Sequence, residues 1–220
     1  MLLSPKNRTA IQARLKLMQG PARLIHFTQA LDCPACPDAE RLLSEVAELS
    51  GKLTLEVLNL HVDRARAAQY GIERVPATVM MGERDYGIRL YGLPAGYEFA
   101  VLIETILLAS SGRSGLDPQV RAALAELRTP VLLQVFSTPT CPYCPGMAIL
   151  AHQMAVESEW VRAELVDATE FPELTRAHAV SSVPKTIING AAALDGAVSG
   201  ESLAAAILQA ALPQGISTPH

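Results

Sequence analysis

The chain has 220 residues, of which 50% are hydrophobic and 18% charged, with a formal net charge of −4. That length fits one or two domains with cores of their own, and the mild charge excludes a disordered polyelectrolyte and an electrostatic grip on nucleic acid. No run of about 18 apolar residues can span a bilayer, and Met1-Leu2-Leu3 breaks into Ser4-Pro5-Lys6 before any secretory leader could form, so a cytoplasmic protein with no membrane contact is expected.

In chain order, Lys6 to Gln19 places Ile11, Leu15 and Met18 on one helical face, ended by Gly20-Pro21. Leu24 to Thr28 reads as a strand running into Cys33-Pro34-Ala35-Cys36. The stripe Leu42, Leu43, Val46 and Leu49 marks the helix behind it. Leu53 to Val57 alternates as a second strand and is followed by a short helix, Asp63 to Tyr70. Val75-Pro76 opens an apolar, β-prone segment to Met80, a place where a strand tolerates proline. Gly82 turns the chain into Ile88 to Tyr91, and Gly92-Leu93-Pro94-Ala95-Gly96 leads to a helix from Tyr97 to Leu108.

Ser110 to Gly115 has linker composition, and Asp117-Pro118 suits a helix start. The order then recurs: a strand from Val131 to Phe136 enters Cys141-Pro142-Tyr143-Cys144, with a helix from Ala148 to Glu159, a strand from Val161 to Asp167 and a short helix from Phe171 to Ala177. The proline-led strand returns as Val183 to Ile188, and Ser202 to Leu212 is the last helix. Cys33/Cys141, Val75/Val183, Pro76/Pro184, Thr78/Thr186, Gly82/Gly190 and Gly92/Gly200 are all 108 residues apart, the mark of an internal duplication. Two units, 1–112 and 113–220, are expected, one with each Cys-x-x-Cys motif.

A Cys-x-x-Cys pair opening a helix holds two sulfurs within bonding reach and sets the first near the positive helix end, which favours its thiolate. All four cysteines belong to such pairs. In a reducing compartment this composition points to thiol–disulfide exchange or metal binding rather than structural staples. A metal site built from all four cysteines is the rival from another class, but 104 residues separate the two pairs, far beyond zinc-ribbon spacing.

With Val-Pro 43 residues after each first cysteine, and with Tyr91-Gly92-Leu93-Pro94-Ala95-Gly96-Tyr97, the whole chain resembles the thioredoxin and glutaredoxin superfamily. It is most similar to the two-unit glutaredoxin-like protein disulfide oxidoreductases. The resemblance implies an α/β fold of two tandem thioredoxin-like units, each a four-stranded mixed sheet flanked by helices. It implies Cys33 and Cys141 as attacking thiolates and Cys36 and Cys144 as resolving thiols. It further implies cis bonds before Pro76 and Pro184, which would offer the backbone of Val75 and Val183 to a substrate strand.

Implied substrates are protein disulfides and dithiols, with no bound cofactor. Electrons would come from an external NAD(P)H-dependent, thioredoxin-reductase-like flavoprotein, with a peroxiredoxin as a further partner. A second reading is a dedicated adaptor, like the two-unit region that carries electrons from flavin to peroxidase in alkyl hydroperoxide reductase systems. Where thioredoxins keep a buried carboxylate before the strand phenylalanine, this chain has His26 and Val135. A strand histidine is more often a packing residue than a proton relay, so His26 stays outside the expected catalytic set. The different dipeptides, Pro-Ala and Pro-Tyr, suggest a division of labour in which the second, more exposed centre meets substrates.

Overall fold

The structure, a computed structural model, describes residues 2–212. In chain order its first half contains α1 (Pro5–Leu15), β1 (Ala22–Thr28), α2 (Cys36–Ala47), β2 (Leu53–Asn59), α3 (Arg64–Tyr70), β3 (Ala77–Met81), β4 (Asp85–Tyr91) and α4 (Tyr97–Ser111). The second half repeats the plan with α5 (Pro118–Leu124), β5 (Val131–Ser137), α6 (Cys144–Glu157), β6 (Val161–Asp167), α7 (Pro172–Ala177), β7 (Lys185–Ile188), β8 (Ala192–Asp195) and α8 (Gly200–Ala211).

Each half forms a four-stranded mixed sheet, and the two are continuous. The order is β2-β1-β3-β4-β6-β5-β7-β8, with β4 and β6 pairing in parallel from Ile88 opposite Ala163 to Tyr91 opposite Val166. This joint has the β4 edge of the first unit meeting β6, the counterpart of β2, in the second. The same element is therefore an edge strand in one copy and central in the other: β2 is largely half-buried or exposed, whereas β6 is buried at every position but one. Joining two edges removes unpaired backbone groups that would otherwise invite association.

The sheet separates two layers. On one face Leu24, Met80, Leu133 and Val135 join α1, α2, α4, α5, α6 and α8 in the larger core. On the other, Ile25, Phe27, Ala77, Val79, Phe136 and Ile187 pack under the short helices α3 and α7. Residues alternate between the two faces along a strand, as the pleat requires.

Three differences from the sequence expectations have local causes. β8 is a strand that no pattern announces, because Ala192 to Asp195 is an exposed edge with no alternation to read. α4 continues through Ser111 into the polar segment expected as linker, and Gly112, at φ 62°, caps it. β3 starts at Ala77, leaving Val75 and Pro76 just outside the strand.

Candidate active sites

Both Cys-x-x-Cys motifs follow the carboxyl end of a parallel strand, β1 or β5, and lead into a helix on the larger-core face. Since β4 and β6 are parallel, the two motifs share one rim of the sheet. They are separated by β3, β4 and β6, and four strand spacings make that about 19 Å. One centre holding all four sulfurs, as the metal reading required, is incompatible with this placement. Among the described residues no group of three or more His, Cys, Asp or Glu side chains is arranged to hold a metal ion.

Cys33 and Cys36 are disulfide-bonded, as are Cys141 and Cys144, with Cα–Cα separations of 5.4 and 5.5 Å. Each helix begins at the second cysteine, so the first lies in the turn ahead of it, where the Cys36 N–H donates to the Cys33 carbonyl at 3.2 Å. Pro37 and Pro145 occupy the first helical turn, where a missing N–H removes no helical bond. Both resolving positions are buried, Cys36 and Cys144 being 1% exposed. The first cysteines differ: Cys33 is half-buried and Cys141 only 8% exposed. The exposure of the first cysteines thus runs opposite to the expected order of the centres, although Tyr143 beside the second is 72% exposed.

The Val75–Pro76 and Val183–Pro184 peptide bonds are cis. In the second unit Cys141 Sγ lies 3.7 Å from the Val183 carbonyl oxygen, which brings the sulfur and the proline turn together directly. In the first, Phe27 opposite Ala77 sets Val75-Pro76 beside the end of β1 that leads to Cys33. The turns are held alike, by Gly92 N–H donating to the Pro76 carbonyl at 3.0 Å and Gly196 N–H to the Pro184 carbonyl at 2.8 Å.

The sequence reasoning missed a contribution of the first unit to the second centre. The loop 92–96 packs on the loop before Cys141, where the Tyr97 N–H donates to the Pro139 carbonyl at 2.9 Å. Gly96, at φ 53°, faces that same carbonyl, and a Cβ there would collide with it. One residue beyond Tyr97, Glu98 is buried beside Ser137 and Asp167, with its Oε1 unpartnered. Burial, reinforced by the nearby Asp167 and Glu170 carboxylates, pushes its pKa up to about 8. Glu170 is raised as well, chiefly by burial, while its Oε1 accepts the Leu93 N–H at 2.7 Å. A carboxyl whose pKa is raised to about 8 therefore sits beside the carboxyl end of β5, the strand that runs into the second motif. In the sequence, a glutamate in a first helical turn looks like an ordinary dipole partner, so nothing marked it.

Comparison with known proteins agrees with this geometry. A thioredoxin domain model matches residues 131–209. The solved structure of a protein disulfide oxidoreductase from Aeropyrum pernix is 31% identical, with a TM-score of 0.90 over 96% of this chain and 94% of that one. That of the alkylhydroperoxide reductase component AhpF from Enterococcus faecalis is 25% identical, with a TM-score of 0.87 over 94% of this chain and 100% of that one. Among curated relatives, the corresponding alkyl hydroperoxide reductase component of Pseudomonas aeruginosa is 24% identical over 94% of this chain and 37% of its own length. A protein named NADH dehydrogenase, from Ferdinandcohnia aciditolerans, is 23% identical over 93% of this chain and 37% of its own. The chain spans about a third of the length of these curated relatives. It belongs to the thioredoxin/glutaredoxin superfamily, as a two-unit member of the protein disulfide oxidoreductase type.

Proposed function

We propose that this protein is a thiol–disulfide oxidoreductase that exchanges disulfides with polypeptides at two centres, one in each unit, with the unit boundary at residues 112 and 113. Cys33 and Cys141 attack, and Cys36 and Cys144 resolve the resulting mixed disulfides. Val75-Pro76 and Val183-Pro184 present backbone to the substrate strand. The observation that carries this reading is the coincidence, in both units, of a helix-start Cys-x-x-Cys pair with a cis Val-Pro turn, seen most directly in the approach of Cys141 Sγ to the Val183 carbonyl.

In the reducing direction, the Cys33 or Cys141 thiolate attacks a substrate disulfide and expels one substrate sulfur as thiolate. The resolving thiol loses its proton and attacks the first cysteine. The second substrate sulfur leaves, and the two electrons of the dithiol have passed to the substrate. The reverse sequence oxidises a substrate dithiol. Electrons are supplied from outside, by an NAD(P)H-dependent flavoprotein reductase, and the work is cytoplasmic. Insulin reduction by dithiothreitol tests the activity: acceleration by the wild type, and its loss when Cys33 and Cys141 are both replaced by Ser, is expected. An uncatalysed rate for the wild type contradicts it.

The likeness along nearly the whole chain to the AhpF component of alkyl hydroperoxide reductases favours a second reading, an adaptor delivering electrons to a peroxidase of the peroxiredoxin kind. Peroxide-dependent NADH consumption by a flavoprotein reductase and a peroxiredoxin, rising in proportion to added protein, would select it. Insulin turnover without that coupling would select the general oxidoreductase.

A further inference from the structure

The two centres share one rim of the sheet, and the surface between them is apolar and concave. Their strands, β1 and β5, are separated by β3, β4 and β6, and the parallel β4–β6 pair points both motifs the same way, about 19 Å apart. Between them lies an open groove of about 340 Å³ whose walls include Leu2, Leu42, Leu93 and Phe99. One end is formed by Asp38 in the first turn of α2, just past the first motif. The other is formed by Gly96, which faces the carbonyl of Pro139, two residues before Cys141. Four large hydrophobic side chains stand exposed along this stretch: Leu2, Leu31 ahead of Cys33, Tyr97 next to Gly96, and Tyr143 within the second motif. Only Leu17, Val57, Val62 and Leu212 are exposed elsewhere on the described surface, so the rim holds a disproportionate share. Apolar surface gathered in this way marks a contact surface.

We propose that this rim is a track for one polypeptide that engages both centres together, with an apolar side chain between its two reacting cysteines seated in the groove. This rests on the exchange reading above. Continuity selects the occupant: the groove runs from the helix of one motif to the loop of the other, so a chain held at Cys33 crosses it on the way to Cys141. The Cys33 and Cys141 thiolates each attack a disulfide of the same chain. Two substrate S–S bonds break, two mixed disulfides form, and two substrate sulfurs leave as thiolates. Cys36 and Cys144 then lose their protons to water, attack Cys33 and Cys141, and release the remaining substrate sulfurs, so that the electron pairs of both dithiols pass in one encounter.

Tethering at one sulfur makes the second attack intramolecular, provided that the chain between the cysteines can span the gap. An extended chain advances about 3.3–3.6 Å per residue, so about six residues cover about 19 Å. The substrate class is therefore a polypeptide with two disulfides whose reacting cysteines are about six or more residues apart, with an apolar residue between them. Cysteines much closer together react at one centre at a time.

The test uses the full reduced chain carrying both Cys36→Ser and Cys144→Ser, which stops each centre at the mixed disulfide. Two peptides each carry two cysteines capped with thionitrobenzoate, which leaves as a thiolate when a protein sulfur attacks. One has about ten residues between its cysteines, with a central leucine; the other has a single residue there, a reach of at most about 7 Å. Mass spectrometry should find the long peptide bonded to both Cys33 and Cys141 of one chain, and the short peptide bonded at one sulfur only. In Leu2→Asn, or with asparagine replacing the central leucine of the peptide, the second bond should form at least about threefold more slowly, with the first unchanged. Equal yields of the two-point adduct from both peptides overturn the proposal. So does its absence with the long peptide while each sulfur still takes a peptide singly, or an unchanged second step after both substitutions. If neither sulfur accepts either peptide, the exchange reading fails instead.

Discussion

Glu98 is the residue on which the second centre's pH behaviour should turn. Held near 8 by burial and by Asp167, it is mostly protonated at neutral pH and becomes a base as the pH rises through that value. Resolution at Cys141–Cys144 should accelerate between about pH 7 and 8.5. In Glu98→Gln that rise should be lost, with Cys33–Cys36 exchange unaffected, as measured by centre-resolved alkylation kinetics. A retained rise would remove Glu98 from the proton path. At this scale the sequence was legible where chemistry is bound to a motif: each Cys-x-x-Cys pair leads into a helix, and each Val-Pro peptide forms a cis turn just ahead of the neighbouring strand. It was not legible for Glu98, because a contact between units separated by a loop and a helix leaves no local pattern.

Among the elements, the loop 92–96 is the bridge between the first unit and the second centre. Gly96 has φ 53° and ψ −126°, a conformation essentially closed to side-chain-bearing residues, and it also faces the Pro139 carbonyl. Gly190 has φ 71° with open space where a Cβ would go. Gly96→Ala should therefore cost roughly 2 kcal/mol or more in urea unfolding and disturb exchange at Cys141. Gly190→Ala should cost about 1 kcal/mol and leave exchange intact. Equal costs would show that the Pro139 contact is not tight. Helices and strands with strong periodicity were readable, including β1, β5 and β6. The start of α6 comes earlier than its apolar pattern suggests, because Cys144-Pro145-Gly146 looks like a turn, although proline in a first turn is well tolerated.

For the whole molecule, the joining of two sheets into one was beyond the sequence, since the parallel β4–β6 pair depends on a long-range match of two edges. Its other consequence is a buried helix contact between units, α4 against α6, where Thr105 Oγ1 and His152 Nδ1 lie 2.8 Å apart. Burial pushes His152 down to about 3 and His26 to about 4. Unfolding restores ordinary imidazole basicity, so the unfolded chain binds more protons and stability falls as the pH drops below about 6.5. Each histidine contributes a slope of about 1.4 kcal/mol per pH unit there. Glu98 acts oppositely. Its raised pKa makes the folded chain bind the extra proton between about 4.5 and 8, so its contribution is lost as the pH rises, and Glu170 adds to that loss. Stability should peak near pH 6.5. His152→Leu should flatten the acid side of urea-unfolding profiles, and an undiminished acid slope in that variant would contradict the assignment.

The most direct test of two working centres is covalent capture. With Cys36→Ser or Cys144→Ser, a disulfide-bearing polypeptide should accumulate as a mixed disulfide on Cys33 in the first variant and on Cys141 in the second, identified by peptide mass spectrometry. Absence of the adduct at either sulfur would contradict a molecule that exchanges disulfides at both ends of its duplicated fold.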